Sequence, residues 1–141
     1  MNLTTQARDH VLAALDPFFA KLGFVRAARS QAWRKTQSDE HIRCVHLNCA
    51  LYEKTREIAI IPTMSVRHRR LADLQVALGW VAKQYTNESS AVALSLTVLA
   101  GREPHYAYQV EATTAAAIAG ELTHDLSAVG LRVFDDLENL D

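Results

Sequence analysis

The sequence predicts an α+β fold: a mainly antiparallel sheet of about five or six strands with three helices packed on it. Three observations carry this expectation. Three stretches place apolar residues at helical spacing, and several others alternate apolar and polar residues with the period of a strand. The strands come in runs instead of alternating with helices, which argues against a doubly wound parallel sheet.

The first helix is the clearest element. Ala7, Val11, Leu12, Leu15, Phe18, Phe19 and Leu22 form one apolar stripe. Gly23 stands where a left-handed C-terminal cap is expected, and Phe24 where the accompanying apolar contact falls. Pro17 removes one backbone bond and is expected to bend this helix near Ala13, or to split it. Short strands follow at Phe24–Ala28 and Gln31–Thr36, on either side of Arg29-Ser30. Val45, Leu47, Cys49 and Leu51 then alternate with His46, Asn48, Ala50 and Tyr52, the pattern of a half-buried strand. After the polar turn 53–56, Ile58, Ile60, Met64 and Val66 alternate again. Pro62 interrupts that set, so an edge strand or a bulge is expected there.

A second helix is expected from about Val66 to Tyr85, capped by Ser65 and burying Leu71, Leu74, Leu78, Val81 and Tyr85. Val92, Leu94, Leu96 and Val98 read as a strand. Tyr106, Tyr108 and Val110 read as its hairpin partner across the turn at Gly101–Pro104. Thr113 or Thr114 caps a third helix through Ile118, Leu122, Leu126 and Val129, ending at Gly130. The remainder, 131–141, reads as a short extended piece and an acidic tail.

A chain of 141 residues, 49% hydrophobic and 22% charged, has the size and composition of one globular domain, here read as residues 1–141. The first residues lack the pattern of a secretory signal, and no apolar run has the roughly 18 residues of a membrane helix. A cytoplasmic location is expected. Cys44 and Cys49 are an odd number of positions apart, on opposite faces of one strand, so they are expected as free thiols.

The net charge of -1 conceals a split. Residues 1–70 hold twelve Lys/Arg and six Asp/Glu, while residues 71–141 hold three and ten. The two halves either form two electrostatically distinct surfaces or interleave and neutralise each other.

Signatures of known chemistry are absent from the sequence: no glycine-rich phosphate loop, nucleophile elbow, paired-histidine helix motif or Cys-x-x-Cys. Neither catalytic residues nor a cofactor are expected. Cys44 and His46 share a strand face, but a metal site there needs His68 or His105 as well, and no metal is expected. Nucleic acid is not favoured, since residues 91–112 interleave only Arg102 with their aromatics.

Two charged clusters are the candidate contacts. Arg67, His68, Arg69 and Arg70 fall at the expected start of the second helix, where exposed amides and guanidiniums suit a phosphate or a partner's carboxylates. Arg56 in the preceding turn is a candidate to join them. Asp135, Asp136 and Glu138 alternate with Phe134 and Leu137, which suits either a basic partner or docking of the terminus on the chain's own sheet.

The opening helix ending in Leu22-Gly23-Phe24, the strands with Trp33-Arg34, and the closing 130–137 stretch with Leu131, Val133 and Phe134 resemble the bacterial domain of unknown function 4304. The resemblance implies a compact α+β domain, supplies no catalytic residues, and extends to small domains that look like immunity proteins. The expected function is therefore a non-catalytic protein-binding domain, most concretely an immunity or antitoxin-like protein neutralising a bacterial toxin encoded nearby. Asp135, Asp136, Glu138, Arg67, Arg69 and Arg70 would be its partner-binding residues. The alternative is a small anionic-ligand or phosphate-binding domain, with weak enzymatic activity at most, built on Arg56, Arg67, His68 and Arg70. A homodimer through the edge strand at Pro62 is a further expectation.

Overall fold

The structure, a computed structural model, describes residues 2–52, 54–80, 82, 92–101, 107–111 and 113–138. The chain opens with α1 (Leu3–Lys21), then β1 (Val25–Arg26), β2 (Ala32–Thr36), β3 (His41–Tyr52) and β4 (Glu57–His68). Next come α2 (Arg69–Ala77), β5 (Val92–Ser95), the single turn α3 (Leu96–Leu99) and β6 (Tyr108–Val110). It ends with α4 (Ala115–Asp125), a π-helical segment (Leu126–Gly130) and α5 (Val133–Glu138). The six strands form one antiparallel sheet, in the order β1-β2-β3-β4-β5 with β6 also paired to β4. The α+β expectation holds, with more helical segments than the three expected.

The apolar stripe of α1 buries Ala7, Val11, Leu12, Leu15 and Phe19, as its spacing predicts. The expected cap forms: Gly23 N donates to Ala20 O and Phe24 N to Phe19 O, while Phe24 packs on Phe19 at 5.6 Å. Pro17 does not split the helix, which runs unbroken for 19 residues. Pro17 and Ala13 both lie on the exposed side, so water can take the carbonyl that the proline leaves without a donor.

β3 and β4, 12 residues each, form a hairpin that pairs Tyr52 with Glu57 at one end and His41 with His68 at the other. One face of it carries Val45, Leu47, Ile58, Ile60, Met64 and Val66, all fully buried under α1, α3, α4, the π segment and α5. Trp33 of β2 and Tyr108 and Val110 of β6 complete this core.

Pro62 corrects the sequence reading. It lies on β4, which has strands on both sides and is not an edge. Leu47, opposite Pro62, donates its amide to Gln31 of the β2 side at 2.9 Å, so the 47–62 pair exchanges no bonds across β3–β4. The nitrogen of Pro62 therefore faces the other way. There β6 pairs with Ile58–Ile60 and β5 with Thr63–Val66, leaving position 62 in the gap between them. The missing N–H costs no ladder bond, which is how a proline survives in a central strand. An edge-strand homodimer at Pro62 loses its basis.

Other expectations are revised as well. β4 runs to His68, so Arg67 and His68 belong to a strand, and His68, not Ser65, is the N-cap of α2. Helix α2 stops by Leu78, because Gly79 turns left-handed at φ +74° and Trp80 N closes onto Gln75 O. Val81 and Tyr85 are outside the described residues. The stripe expected to be buried is instead exposed: Leu71 40%, Leu74 51% and Leu78 53%, with Ala72 the buried residue of α2.

The strand at 92–95 ends in the helical turn α3, and β6 pairs with β4 instead of β5, so no β5–β6 hairpin forms. Tyr106 is outside the described residues. The third helix passes into a π segment, and Gly130 is no left-handed cap: a Cβ there would stand 2.9 Å from Leu96 Cδ1 and 3.2 Å from Leu126 Cδ2. Its lack of a side chain lets α3 approach closely. Beyond it, the expected extended piece is helix α5, which buries Phe134 and Leu137.

Candidate functional site

The second face of the sheet contributes no side chain to the apolar core cluster. Cross-strand register assembles it. Arg34 of β2 stands beside Cys44 of β3, which stands beside Ser65 and then Ala93; Ala32 stands beside His46, Thr63 and then Ser95. Alternation along each strand puts these residues on one side, because the opposite positions are the core residues. Ala32 and Ser65 are small and buried, while His46 and Asn48 on β3 are exposed. The result is a polar groove of about 430 Å³ over the middle of the sheet. It adjoins a second hollow of about 510 Å³ that runs past Asn48, Tyr52, Ile61 and Gln109.

Hydrogen bonds fix part of this surface. Asn48 Nδ2 donates to Thr63 Oγ1 at 2.9 Å and to Ile61 O at 3.1 Å, so its carbonyl oxygen is presented to the groove. Burial pushes the Cys44 thiol up from 9.0, against the opposing pull of the Arg34 charge and of hydrogen bonding to Ser65. Cys44 is therefore a thiol at neutral pH, and no hydrogen bond joins it to His46. A nucleophile with a neighbouring base is not what this face presents. Among the described residues no three His, Cys, Asp or Glu side chains are grouped to hold a metal ion. His105 lies outside the described residues. The groove presents an array of hydrogen-bond donors and acceptors.

The two charged clusters read from the sequence are not assembled as expected. Arg67 and His68 are neighbours on a strand and point to opposite faces. Arg67 is 7% exposed on the groove side, whereas His68 stacks edge-on against His41 at 4.6 Å with its Nε2 buried and without a hydrogen bond. Arg69 is exposed and donates its amide to Glu40 O at 2.8 Å. Arg70, 89% exposed, pairs with Glu40 at 3.3 Å. Arg56 cannot join them. It sits in the turn at the far end of the hairpin, about 36 Å from Arg67 at the usual rise per strand residue.

At the acidic end, Glu138 and Asp135 are drawn to the chain's own Arg43. Arg43 Nε donates to Glu138 Oε1 at 2.6 Å, and Nη2 to Glu138 Oε2 and Asp135 Oδ1, both at 2.9 Å. The guanidinium also lies over the Phe134 ring at 5.4 Å. Here the basic first half and the acidic second half of the chain neutralise each other. Asp136 remains exposed.

The groove residues Arg34, Thr63 and Ser65 escaped the sequence reading. For Thr63 and Ser65 the signal was present in the alternation with Pro62, Met64 and Val66 along β4. Which of them meets His46 or Cys44 depends on the register.

The chain matches no family model, no curated protein and no solved structure. Among the described residues no helix is long and apolar enough to cross a membrane.

Proposed function

We propose that this chain is a non-catalytic binding protein that seats a protein partner on the groove side of its sheet. In its most concrete form it is an immunity or antitoxin-like protein that masks a bacterial toxin. The observation that carries this reading is the groove itself: a concave surface with polar residues across three paired strands, its thiol kept protonated. A preorganised sheet face suits a partner because little ordering entropy is lost on docking. Specificity would come from His46, Asn48 and Arg34, and apolar contact from Tyr52 and Ile61, both exposed. Membership of the bacterial domain of unknown function 4304 belongs to the same proposal and is supported by the motifs at the two ends of the chain.

Glu138 and Asp135 are engaged within the chain and fit a supporting role better than a primary contact. Arg67, Arg69 and Arg70 do not converge. The phosphate-binding alternative built on Arg56, Arg67, His68 and Arg70 loses its geometry.

Co-expression with the product of the adjacent gene tests the proposal. A complex that survives purification, rescue of growth, and loss of both in Ser65→Arg or Asn48→Arg are the expected results. The same complex formed equally well by both groove variants, or no complex and no rescue with the natural chain, would overturn it.

A further inference from the structure

A separate cavity of about 410 Å³ lies between the first half of α1 and the loop joining β1 to β2. It is lined by Arg8, Asp9, Leu12, Arg26, Arg29 and Gln31. Three arginines line one concave space, and the chain's own carboxylates, Asp16 and Asp9, pair with two of them. Two of the three are held in place. Arg26 donates from Nε and Nη2 to the two oxygens of Asp16 at 2.8 and 2.6 Å, and from Nη1 to Ser30 O at 3.1 Å. Arg8 bonds Asp9 Oδ1 from Nε and Nη2 at 3.0 and 2.9 Å, which also neutralises the carboxylate that lines the cavity. The third is unengaged: Arg29 is exposed at the loop tip and makes no ion pair or side-chain hydrogen bond. Its backbone adopts φ +63°, a conformation that disfavours a residue with a Cβ.

We infer that this cavity binds a phosphate monoester of a small organic molecule. Arg29 offers its whole guanidinium to a phosphate, and Arg8 and Arg26, held in place by carboxylates, add the N–H groups that those bonds leave over. Inorganic phosphate alone would leave most of the volume unfilled. The cavity falls in the ordinary size range of small-ligand pockets, roughly 300 to 1,000 Å³. The buried Leu12 in its wall and the Gln31 amide suit a compact, partly polar organic moiety. The inference stands on residues outside the groove assigned to the partner and does not depend on that reading.

Calorimetric titration with ribose 5-phosphate and with inorganic phosphate tests it. Ribose 5-phosphate should bind, at least tenfold more tightly than inorganic phosphate. Arg29→Gly is the informative variant. Glycine accepts φ +63° without strain, so the variant keeps or gains stability while it removes the guanidinium. It should weaken ribose 5-phosphate binding tenfold or more, as should Arg8→Gln, whereas Arg70→Gln at the start of α2 should not. Absence of binding, an unchanged affinity in Arg29→Gly, or an equal loss in Arg70→Gln would each overturn the inference, the last by showing diffuse charge attraction.

Discussion

Arg43 and Glu138 are 95 residues apart in the chain, and their side chains meet at 2.6 Å. The pair ties helix α5 to the hairpin at the end of the sheet where Phe134 enters the core. Both side chains are largely covered, at 15% and 12% exposure, so this bridge is less screened than one on an open surface. Glu138→Gln is expected to cost about 2 kcal/mol in urea unfolding, the usual size of a hydrogen bond to a charged group. Asp135→Asn, at the 75% exposed partner, should barely register in the same experiment. Equal effects of the two would show that α5 is not anchored at Arg43.

Asp16 links α1 to the sheet by accepting from Arg26 and from Trp33 Nε1, the latter at 2.8 Å. Hydrogen bonding to Arg26 lowers its pKa most; burial opposes it, and the Trp33 bond and the Arg26 charge add to the lowering. Its folded value lies below the ordinary 3.8. The sign follows from proton linkage: stabilisation by the carboxylate is full above that ordinary value and is lost as pH falls through the lower folded one. Urea midpoints measured downward from pH 6 should fall below about pH 4, and Asp16→Asn should flatten that acid limb. Parallel limbs in the two proteins would contradict the assignment.

The cysteines give an alkaline counterpart. Burial pushes the Cys49 thiol up to about 11, with a smaller opposing effect of the Arg8 charge, and Cys44 is raised for the same first reason. Unfolding releases thiols that ionise more readily, so stability should decline as pH climbs above 9. At pH 8 an alkylating reagent should label the native protein slowly and the urea-unfolded protein fast. Rapid native labelling at either site would be the contrary result.

The exposed stripe of α2 separates sequence pattern from packing. Leu74 repeats at helical spacing like Leu15, yet Leu15 is fully buried and Leu74 is half exposed. Leu15→Ala should cost about 3 kcal/mol, whereas Leu74→Gln should stay within about 0.5 kcal/mol. A large loss at Leu74 would mean that its side chain is covered after all.

Local chemistry alone determined much of this protein. The α1 stripe, the Leu22-Gly23-Phe24 cap, the alternation of β3 and β4 about a polar turn, the opposed faces of Cys44 and Cys49 and the α+β class were all legible, because spacing and turn residues act over a few positions. The tertiary structure decided the rest. Pro62 sits in a central strand because β5 and β6 lie end to end and leave a gap at its nitrogen, which no local pattern encodes. The charge clusters came apart because Arg67 and His68 belong to a strand and Arg56 to the other end of a long hairpin. The groove and the arginine cavity join residues whose meeting depends on strand register and on how α1 lies against the sheet. Helical and strand periodicity show which side of an element is apolar. Whether another element covers that side, as for α1, or leaves it in water, as for α2, is settled by how the elements pack together.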